Sequence, residues 1–354
     1  MRRCLIWALT MLALTCAVQA QDPVDESALD GIVESISRAA PDEPVKVGVG
    51  IKIMQIAGVD QQAENFTVVA RIRLAWNDPE LVFDIADYPL GLRSMSVPDF
   101  KKFARENGIN VPLAIFENVQ KRTFTKSAAV GWNQDGDAFV AGEYVLTLQA
   151  PDFNFRQYPF DKQKFYVRLL LNAPTSFFQY VPLEGFSGLA SVLGEEEWII
   201  RSTWEEVDET EAIAGWQASR FSFGMSADRH LVYYWMRIFF PLLLLSLVTW
   251  ANLFLEEYRR RIDIAGANLL AFIAFSFTIS GDLPRLGYVT FLDALLMAMF
   301  LVNAASVAYN VMLRKLSITE RDAKARHIDW HVTYWGYPLM SFLIVLSLVV
   351  VFFV

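Results

Sequence analysis

The stretch Arg259–Tyr288 begins with three arginines, continues through a long, mostly apolar run and reaches a Gly-Asp-Leu-Pro turn near its end. Every third or fourth residue falls on one helix face. That face presents a stripe of acidic, small and large apolar residues: Asp263, Ala267, Leu270, Ala274, Phe277 and Gly281. A carboxylate this close to hydrocarbon is costly, so Asp263 is expected to face protein or water rather than lipid. Several such helices around an axis would enclose water, and the stripe would form a pore wall with constrictions at Leu270 and Phe277. The alternative is an ordinary membrane helix with Asp263 in its interfacial turn.

The charges beside this stripe bear on which ions would pass. Several copies of Asp263 would form a negative ring near the cytoplasmic mouth, which attracts monovalent cations and repels anions. Asp282 could form a second ring outside. The basic run Arg259–Arg261 would favour anions if it faced the mouth, so we expect these arginines to reach lipid headgroups or to pair with Glu256 and Glu257.

No pattern in the sequence indicates an enzyme, a cofactor or a metal site. The chain has two cysteines, both near its N-terminus, and three scattered histidines, which do not make a metal cluster. G-x-S-x-G, H-E-x-x-H and phosphate-binding Gly-rich motifs do not occur in the sequence. The net charge of −8 over 354 residues gives no indication of nucleic-acid binding.

The first two-thirds of the chain is polar and predicts an exported β domain. Residues 1–20 are typical of a signal peptide, with Arg2 and Arg3, the apolar run Cys4–Val18 and a small-residue cleavage site at Ala20. Both cysteines lie within it. The spacing of apolar residues then predicts a short amphipathic helix over Asp25–Ala40. Alternating runs separated by Gly, Asn, Asp and Pro turns predict an all-β sandwich within residues 21–229. The predicted strands are Val45–Ile53, Phe66–Trp76, Ala138–Leu148, Lys164–Leu171, Glu197–Trp204 and Ala218–Ser226.

The last third, residues 230–354, predicts a four-helix transmembrane bundle. Four apolar runs are long enough to cross a bilayer, at about 231–255, 262–281, 291–313 and 331–354. Basic residues lie between the first and second runs and between the third and fourth. Because cytoplasmic loops are rich in Lys and Arg, both of these loops should be inside and the β domain outside, in agreement with the signal peptide.

Several short motifs, in order along the chain, resemble those of Cys-loop receptors. The run Gln157–Gln163 is similar to the signature loop of that family, and Pro151 and Phe165 stand where the two bridging cysteines would be, as in bacterial members. Further matches are Trp76-Asn77-Asp78 with Leu81, Glu197-Trp198, Arg229 with Tyr233-Tyr234 and Pro241-Leu242, and Leu283-Pro284. The chain therefore resembles a prokaryotic pentameric ligand-gated ion channel, and the resemblance covers nearly all of it after the signal peptide.

The resemblance implies a homopentamer in the cell inner membrane. Its helices would contact lipids, and its β domain would lie in the periplasm. Small-molecule agonists would bind between neighbouring subunits, and five copies of the second span would surround a pore. We therefore expect a ligand- or proton-gated, cation-selective channel. The alternative is a membrane-anchored oligomeric binding or sensor protein that conducts no ions.

The resemblance also assigns coupling and binding residues. Asp161 and Arg229 match the charge pair at the junction between the β domain and the membrane, with Asp60 as a candidate third member. Pro159 and Phe160 would press on the linker that begins at Pro284. Each of these charges could instead be a solvated loop residue.

For the agonist site the resemblance indicates the strand that carries Arg71 and Arg73. The position of Arg73 is that of an arginine that holds agonist carboxylates, which suits a fork of donors. An opposing loop at about Val207–Trp216 would contribute acidic residues, with Trp204 and Trp216 as cage aromatics. The alternative is that both arginines are exposed and paired with those acidic residues. His230 is a further candidate for sensing protons.

Overall fold

The computed structural model describes residues 36–354 except 87, 89, 195, 196, 214, 281–285, 320 and 321. The signal peptide, Gly281, Asp282 and Pro284 lie outside the described residues, as does most of the predicted N-terminal helix. Its last residues, 36–40, are described and are not helical.

The polar part of the chain folds as two packed β-sheets, which confirms the predicted sandwich. The strands are β1 Val45–Asp60, β2 Asn65–Asn77, β3 Leu92–Ser96, β4 Ala114–Phe116, β5 Phe124–Asn133, β6 Asp137–Gln149, β7 Lys162–Leu171, β8 Phe178–Pro182, β9 Gly188–Leu189, β10 Trp198–Glu211 and β11 Gln217–Arg229. One sheet has the order β3-β5-β6-β2-β1-β8, with β9 beside β1, and the other has the order β10-β11-β7-β4.

The sandwich core follows from the alternation along each strand. On β1, for example, Val47, Val49, Ile51 and Ile53 are fully buried, because side chains at every second position point to the same face. The short helix α1, Val97–Glu106, closes one side of the core with Phe100, and its first turn is capped by the Ser96 side chain.

Four helices that are long and apolar enough to cross a membrane follow the sandwich. They are α2 Leu231–Asn252, α3 Tyr258–Ser280, α4 Phe291–Ile318 and α5 Ala323–Phe353. The ends of α3, α4 and α5 extend past the predicted spans by several residues, because backbone hydrogen bonding continues into charged sequence while hydropathy does not. In α2 a π-helical turn over Trp235–Phe239 precedes Pro241, which lacks the N–H that a regular helix would need there.

The sandwich stands directly on the helices. β11 ends at Arg229 and α2 begins at Leu231, with only His230 between them. A second apolar cluster at this level joins the loop before β7, through Phe155 and Tyr158, to α2, α3 and α4. The sandwich and the helices are therefore joined by packed side chains as well as by the backbone.

Candidate functional site

At the junction, a buried arginine is the centre of a polar cluster. Arg229 ends β11, and its side chain has no exposed surface. Its Nε donates to Asp161 Oδ1 at 2.8 Å and its Nη2 donates to Asp161 Oδ2 at 3.1 Å. Gln163 Nε2 also donates to Asp161 Oδ2, and the Gln163 amide is held by both backbone groups of Asn154. The predicted Asp161–Arg229 pair is thus a bidentate contact with a fixed third partner.

The remaining donors of this arginine are satisfied from the other side. Arg229 Nη1 donates to Glu197 Oε1 at 3.0 Å and to the Tyr234 hydroxyl at 3.2 Å. Tyr234 and Gln61 both donate to the same Glu197 oxygen. The cluster therefore joins three strand ends and the first turn of α2.

Aromatic rings enclose the guanidinium and exclude water. The Arg229 Cζ lies 4.2 Å from the ring centre of Trp198 and 4.7 Å from that of Tyr158. Burial by itself would lower the pKa of Arg229, but the hydrogen bonds and charge of Asp161 outweigh it, so its pKa is raised and the arginine stays charged. Burial also raises the pKa of the Tyr158 hydroxyl.

The position of Asp60 differs from the expectation. Asp60 accepts hydrogen bonds from the backbone of Gln62 and Ala63 within its own turn, and the third charged member of the cluster, after Asp161 and Arg229, is Glu197. The β1–β2 turn still reaches the cluster, through Gln61. The motif Glu197-Trp198 was visible in the sequence, but its pairing with Arg229 depends on the β10–β11 register.

The loop before β7 is inserted among the helices. Phe160 packs with Phe239 of α2, Phe291 of α4 and Phe353 of α5, at ring-centre distances of 5.7, 5.8 and 5.8 Å. Gln157 Nε2 donates to the carbonyl of Phe352 at 2.9 Å.

The same loop bonds to the segment before α4. The Tyr288 hydroxyl accepts from the Phe155 N–H at 3.0 Å, and the Phe291 N–H donates to the Arg156 carbonyl at 2.9 Å. Pro159 follows a cis peptide bond at the tip of the loop. This contact of the loop with the α4 side is described, whereas the predicted contact with Pro284 lies outside the described residues.

On α3, the predicted stripe and the packed residues lie on opposite sides. The buried residues are Arg261, Ala265, Asn268, Phe272 and Ile279. At 3.6 residues per turn, the centre of the stripe lies roughly 170° around the helix axis from the centre of the buried side. Its five described members, Asp263, Ala267, Leu270, Ala274 and Phe277, are all exposed in the single chain. Leu270 and Phe277 are 68% and 75% exposed, respectively.

The buried side of α3 carries polar contacts to its neighbours. Asn268 Nδ2 donates to Thr249 Oγ1 of α2 and to Asn303 Oδ1 of α4, each at 2.8 Å, and Thr249 donates to Asn303 at 2.7 Å. Because these three groups satisfy one another within apolar surroundings, they fix the rotation of α3 about its axis.

Nearer its start, α3 is held by a buried ion pair. Arg261 makes a bidentate contact with Asp329 of α5, at 2.7 and 2.8 Å. The expectation that Arg261 reaches headgroups or pairs with Glu256 or Glu257 is therefore wrong. Hydropathy and charge order could not show that α5 extends far enough to bring Asp329 to this position.

The predicted agonist residues separate into two groups within one chain. Arg71 Nε donates to Glu143 at 2.8 Å, and Lys126 binds the other oxygen of that carboxylate. These hydrogen bonds hold the pKa of Glu143 below its usual value of 4.5. Arg73 lies over the Phe139 ring at 5.0 Å, and its buried Nε has no hydrogen-bond partner among the described residues.

The second group lies on the other sheet. Trp204 packs against Gly224, where any Cβ would meet its indole ring at 2.3 Å, and it contacts Tyr166 edge-on. Trp216 is half-buried, with an indole N–H that has no partner among the described residues. Neither tryptophan has a described contact with Arg71 or Arg73 of the same chain.

The predicted loop over Val207–Trp216 is mostly strand. β10 continues to Glu211 and pairs with β11, so that Asp208 lies opposite Arg220. Arg220 Nε donates to Asp208 Oδ1 at 2.9 Å, and its Nη1 donates to Glu117 at 3.2 Å. The hydrogen bonds from Arg220 hold the pKa of Asp208 below its usual value of 3.8. Asp208 is thus paired within its own sheet.

The chain is similar to known channel proteins over most of its length. The family described as neurotransmitter-gated ion-channel ligand binding domain matches residues 33–169. Over 321 residues the chain is 23% identical to the proton-gated ion channel of Gloeobacter violaceus (strain ATCC 29082 / PCC 7421), covering 88% of this chain and 84% of that protein. Over 310 residues it is 22% identical to glycine receptor subunit beta of Homo sapiens, covering 81% of this chain and 60% of that subunit.

A ligand-binding β-sandwich joined directly to four membrane-spanning helices defines a multi-pass membrane receptor. These similarities indicate a pentameric ligand-gated ion channel of the Cys-loop type. The comparisons therefore support a ligand-gated ion channel, rather than an enzyme or a sensor that conducts no ions. No group of three potential metal ligands occurs in the part of the chain that the structure describes.

Proposed function

We propose that the protein is a homopentameric, cation-selective channel whose pore is lined by α3. The observation that carries the proposal is the separation of α3 into a packed side and an exposed stripe. Lipid would make an exposed Asp263 costly. Five copies with their stripes turned to a common axis would place this carboxylate in water instead.

The stripe supplies a gate as well as a lining. Leu270 and Phe277 project from the same side of α3, two helical turns apart, with the small residue Ala274 between them. In a pentamer they would form two apolar rings, and a narrow apolar ring closes a pore by excluding water. Asn268, held by α2 and α4, would keep the Leu270 ring directed at the axis.

Selectivity for monovalent cations is assigned to Asp263. Arg259 lies on the same side of α3, about 40° away and one turn nearer the cytoplasmic end. Both side chains are exposed. The short carboxylate would stay at the pore wall, while the longer arginine in the first turn can extend away from the axis. Five carboxylates at the narrower level would then attract cations.

The junction would couple the two parts. Residues 21–229 would form the periplasmic ligand-binding domain and residues 230–354 the transmembrane domain, in the inner membrane and surrounded by lipid. Arg229 holds Asp161 and Glu197 while Phe160 packs against α2, α4 and α5. A shift of the sandwich would therefore move the helices that pack against α3.

The agonist would be a small molecule that bears a carboxylate, or protons. Arg73 supports the first alternative, because its Nε has no described partner, whereas Arg71 is occupied by Glu143. The exposed Trp216 loop of a neighbouring subunit would complete the cleft. The similarity to a proton-gated channel and the exposed His230 between sandwich and bundle support the second.

Current recordings from the full chain in oocytes would test the proposal. Steps of external pH, then a panel of carboxylates and amines, should evoke current whose reversal potential follows the external concentration of monovalent cations rather than that of chloride. Asp263→Asn should keep the evoked current and lower the ratio of sodium to chloride permeability. A ratio that is independent of the charge at residue 263 would contradict a pore lined by α3.

A further inference from the structure

Three consecutive arginines begin α3, and only the third is buried. Arg259 and Arg260 are exposed, whereas Arg261 is 3% exposed. Asp263 lies two positions after Arg261, which corresponds to a rotation of about 200° around the helix axis. Arg261 therefore points away from the exposed stripe, into its own subunit.

The pocket that receives Arg261 is built for a guanidinium. Asp329 binds both terminal nitrogens, and Arg261 Nε donates to the Leu255 carbonyl. Tyr309 donates its hydroxyl to Asp329 Oδ1 at 3.3 Å, and the Tyr258 ring lies 5.0 Å from the guanidinium carbon. The Asp329 side chain is 14% exposed, so water replaces little of this contact.

The register between helices is fixed around this pair. Asn252 of α2 donates its amide to the backbone carbonyl of Arg261 at 2.9 Å. α3 therefore cannot rotate freely to bring Arg261 toward the stripe while the pair is intact. If Asp329 were neutral, however, the buried charge would be unpaired, and leaving the pocket would be favoured.

We propose that Asp329, which lies outside the pore, is a specificity-determining residue because it holds the charge of Arg261 away from the permeation path. The inference rests on the proposed function, in which α3 lines a cation-selective pore. In a pentamer, five carboxylates of α5 would cancel five arginines that would otherwise add positive charge beside the Asp263 ring. Asp329 acts through Arg261 and is thus a positioning residue.

The test is the ratio of sodium to chloride permeability, measured as a reversal potential under a tenfold dilution of NaCl. Asp329→Asn keeps the shape of the side chain and removes its charge. The released arginine should lower the permeability ratio at least about fivefold, the effect of one unit charge at about 4 Å in water. Arg261→Gln should not lower the ratio, since it removes a positive charge and leaves the carboxylate of Asp329 in the buried pocket.

The double variant Arg261→Gln/Asp329→Asn separates a charge effect from a structural one. It should restore the wild-type ratio, because no arginine is left to release, although the packing of the pair is lost. A double variant with the same low ratio as Asp329→Asn would overturn the proposal, as would a wild-type ratio in Asp329→Asn itself.

Two further variants complete the experiment. If Asp329→Asn does not reach the membrane, the charge exchange Arg261→Asp/Asp329→Arg tests the proposal instead, because it leaves the net charge of the pair unchanged. A wild-type permeability ratio in this variant supports the proposal, and a lowered ratio overturns it. Asp263→Asn, recorded in parallel, distinguishes the two levels of inference. A ratio that Asp263→Asn lowers but Asp329→Asn does not would refute only the role of Asp329.

Discussion

Replacing Asp161 by Asn is the sharpest test of the junction. The substitution changes one oxygen to an NH₂ group and little else. Asn could still accept through its one oxygen, but in either orientation its NH₂ group would face a donor: Arg229 Nε at the Oδ1 position, or Arg229 Nη2 and Gln163 Nε2 at the Oδ2 position. Gln163 cannot turn over to accept, since both of its amide atoms are bonded to the backbone of Asn154.

The magnitude follows from the burial of the pair. Removing one partner of a buried ion pair costs about 3–5 kcal/mol. Glu197 and the surrounding rings still compensate part of the Arg229 charge, so we expect the lower end, about 3 kcal/mol per subunit. For a domain of this size, that loss would lower the melting temperature by about 6–12 °C.

Two measurements are combined. Thermal melting of the detergent-solubilised channel is monitored by size-exclusion chromatography, and evoked current is recorded from the same variants. Asp161→Asn should assemble, melt at a lower temperature and lose most of its current, because sandwich and helices no longer move together. The matched control is Asp152→Asn, since Asp152 meets Arg168 at 3.4 Å with its side chain 47% exposed. Exposed ion pairs of this kind contribute less than about 1 kcal/mol to the free energy of unfolding, so the control should melt close to wild type. Wild-type melting and current in Asp161→Asn would refute the reasoning.

Three further predictions address the gate, the agonist cleft and acid stability. Leu270→Ser should wet the apolar ring and produce current without stimulus, and a variant that stays closed at rest would argue against this gate. Arg73→Gln should raise the half-maximal concentration of carboxylate ligands about tenfold to a hundredfold, which corresponds to the loss of a charged hydrogen bond of about 1.5–3 kcal/mol. The response to neutral ligands should not change. Unchanged dose–response curves for carboxylates would exclude Arg73 from the binding site. The pKa of Asp208 is lowered in the folded state, so its contribution to stability is present above pH 3.8 and is lost as the pH falls through the lowered value. Wild type should therefore melt above Asp208→Asn at pH 7, and the difference should disappear toward pH 2; a constant difference would show that Asp208 does not titrate with folding.

The local sequence pattern was sufficient to predict the architecture and to select the residues of the candidate pore. Alternation along β1 and the long apolar runs are properties of neighbouring residues, and each predicts the same structure in most contexts. The Asp263–Phe277 stripe needed only the helical period. The start of α5 could not be predicted in the same way, because the residues before His331 are mostly polar and belong to the helix without contributing to an apolar run.

Periodicities within a segment were sufficient to predict the β-sandwich, the four membrane helices and the side of α3 that carries charge and small residues. Which buried charges meet depends instead on how distant segments pack. Asp161 and Arg229 are 68 residues apart, as are Arg261 and Asp329, and periodicity within a segment cannot show that two distant side chains come together. Glu197, rather than Asp60, completes the cluster at Arg229, because the register of β10 on β11 places Trp198 opposite Arg229 and so brings Glu197 beside it. A helical pattern states which residues share a face, but only packing against other helices states what that face contacts.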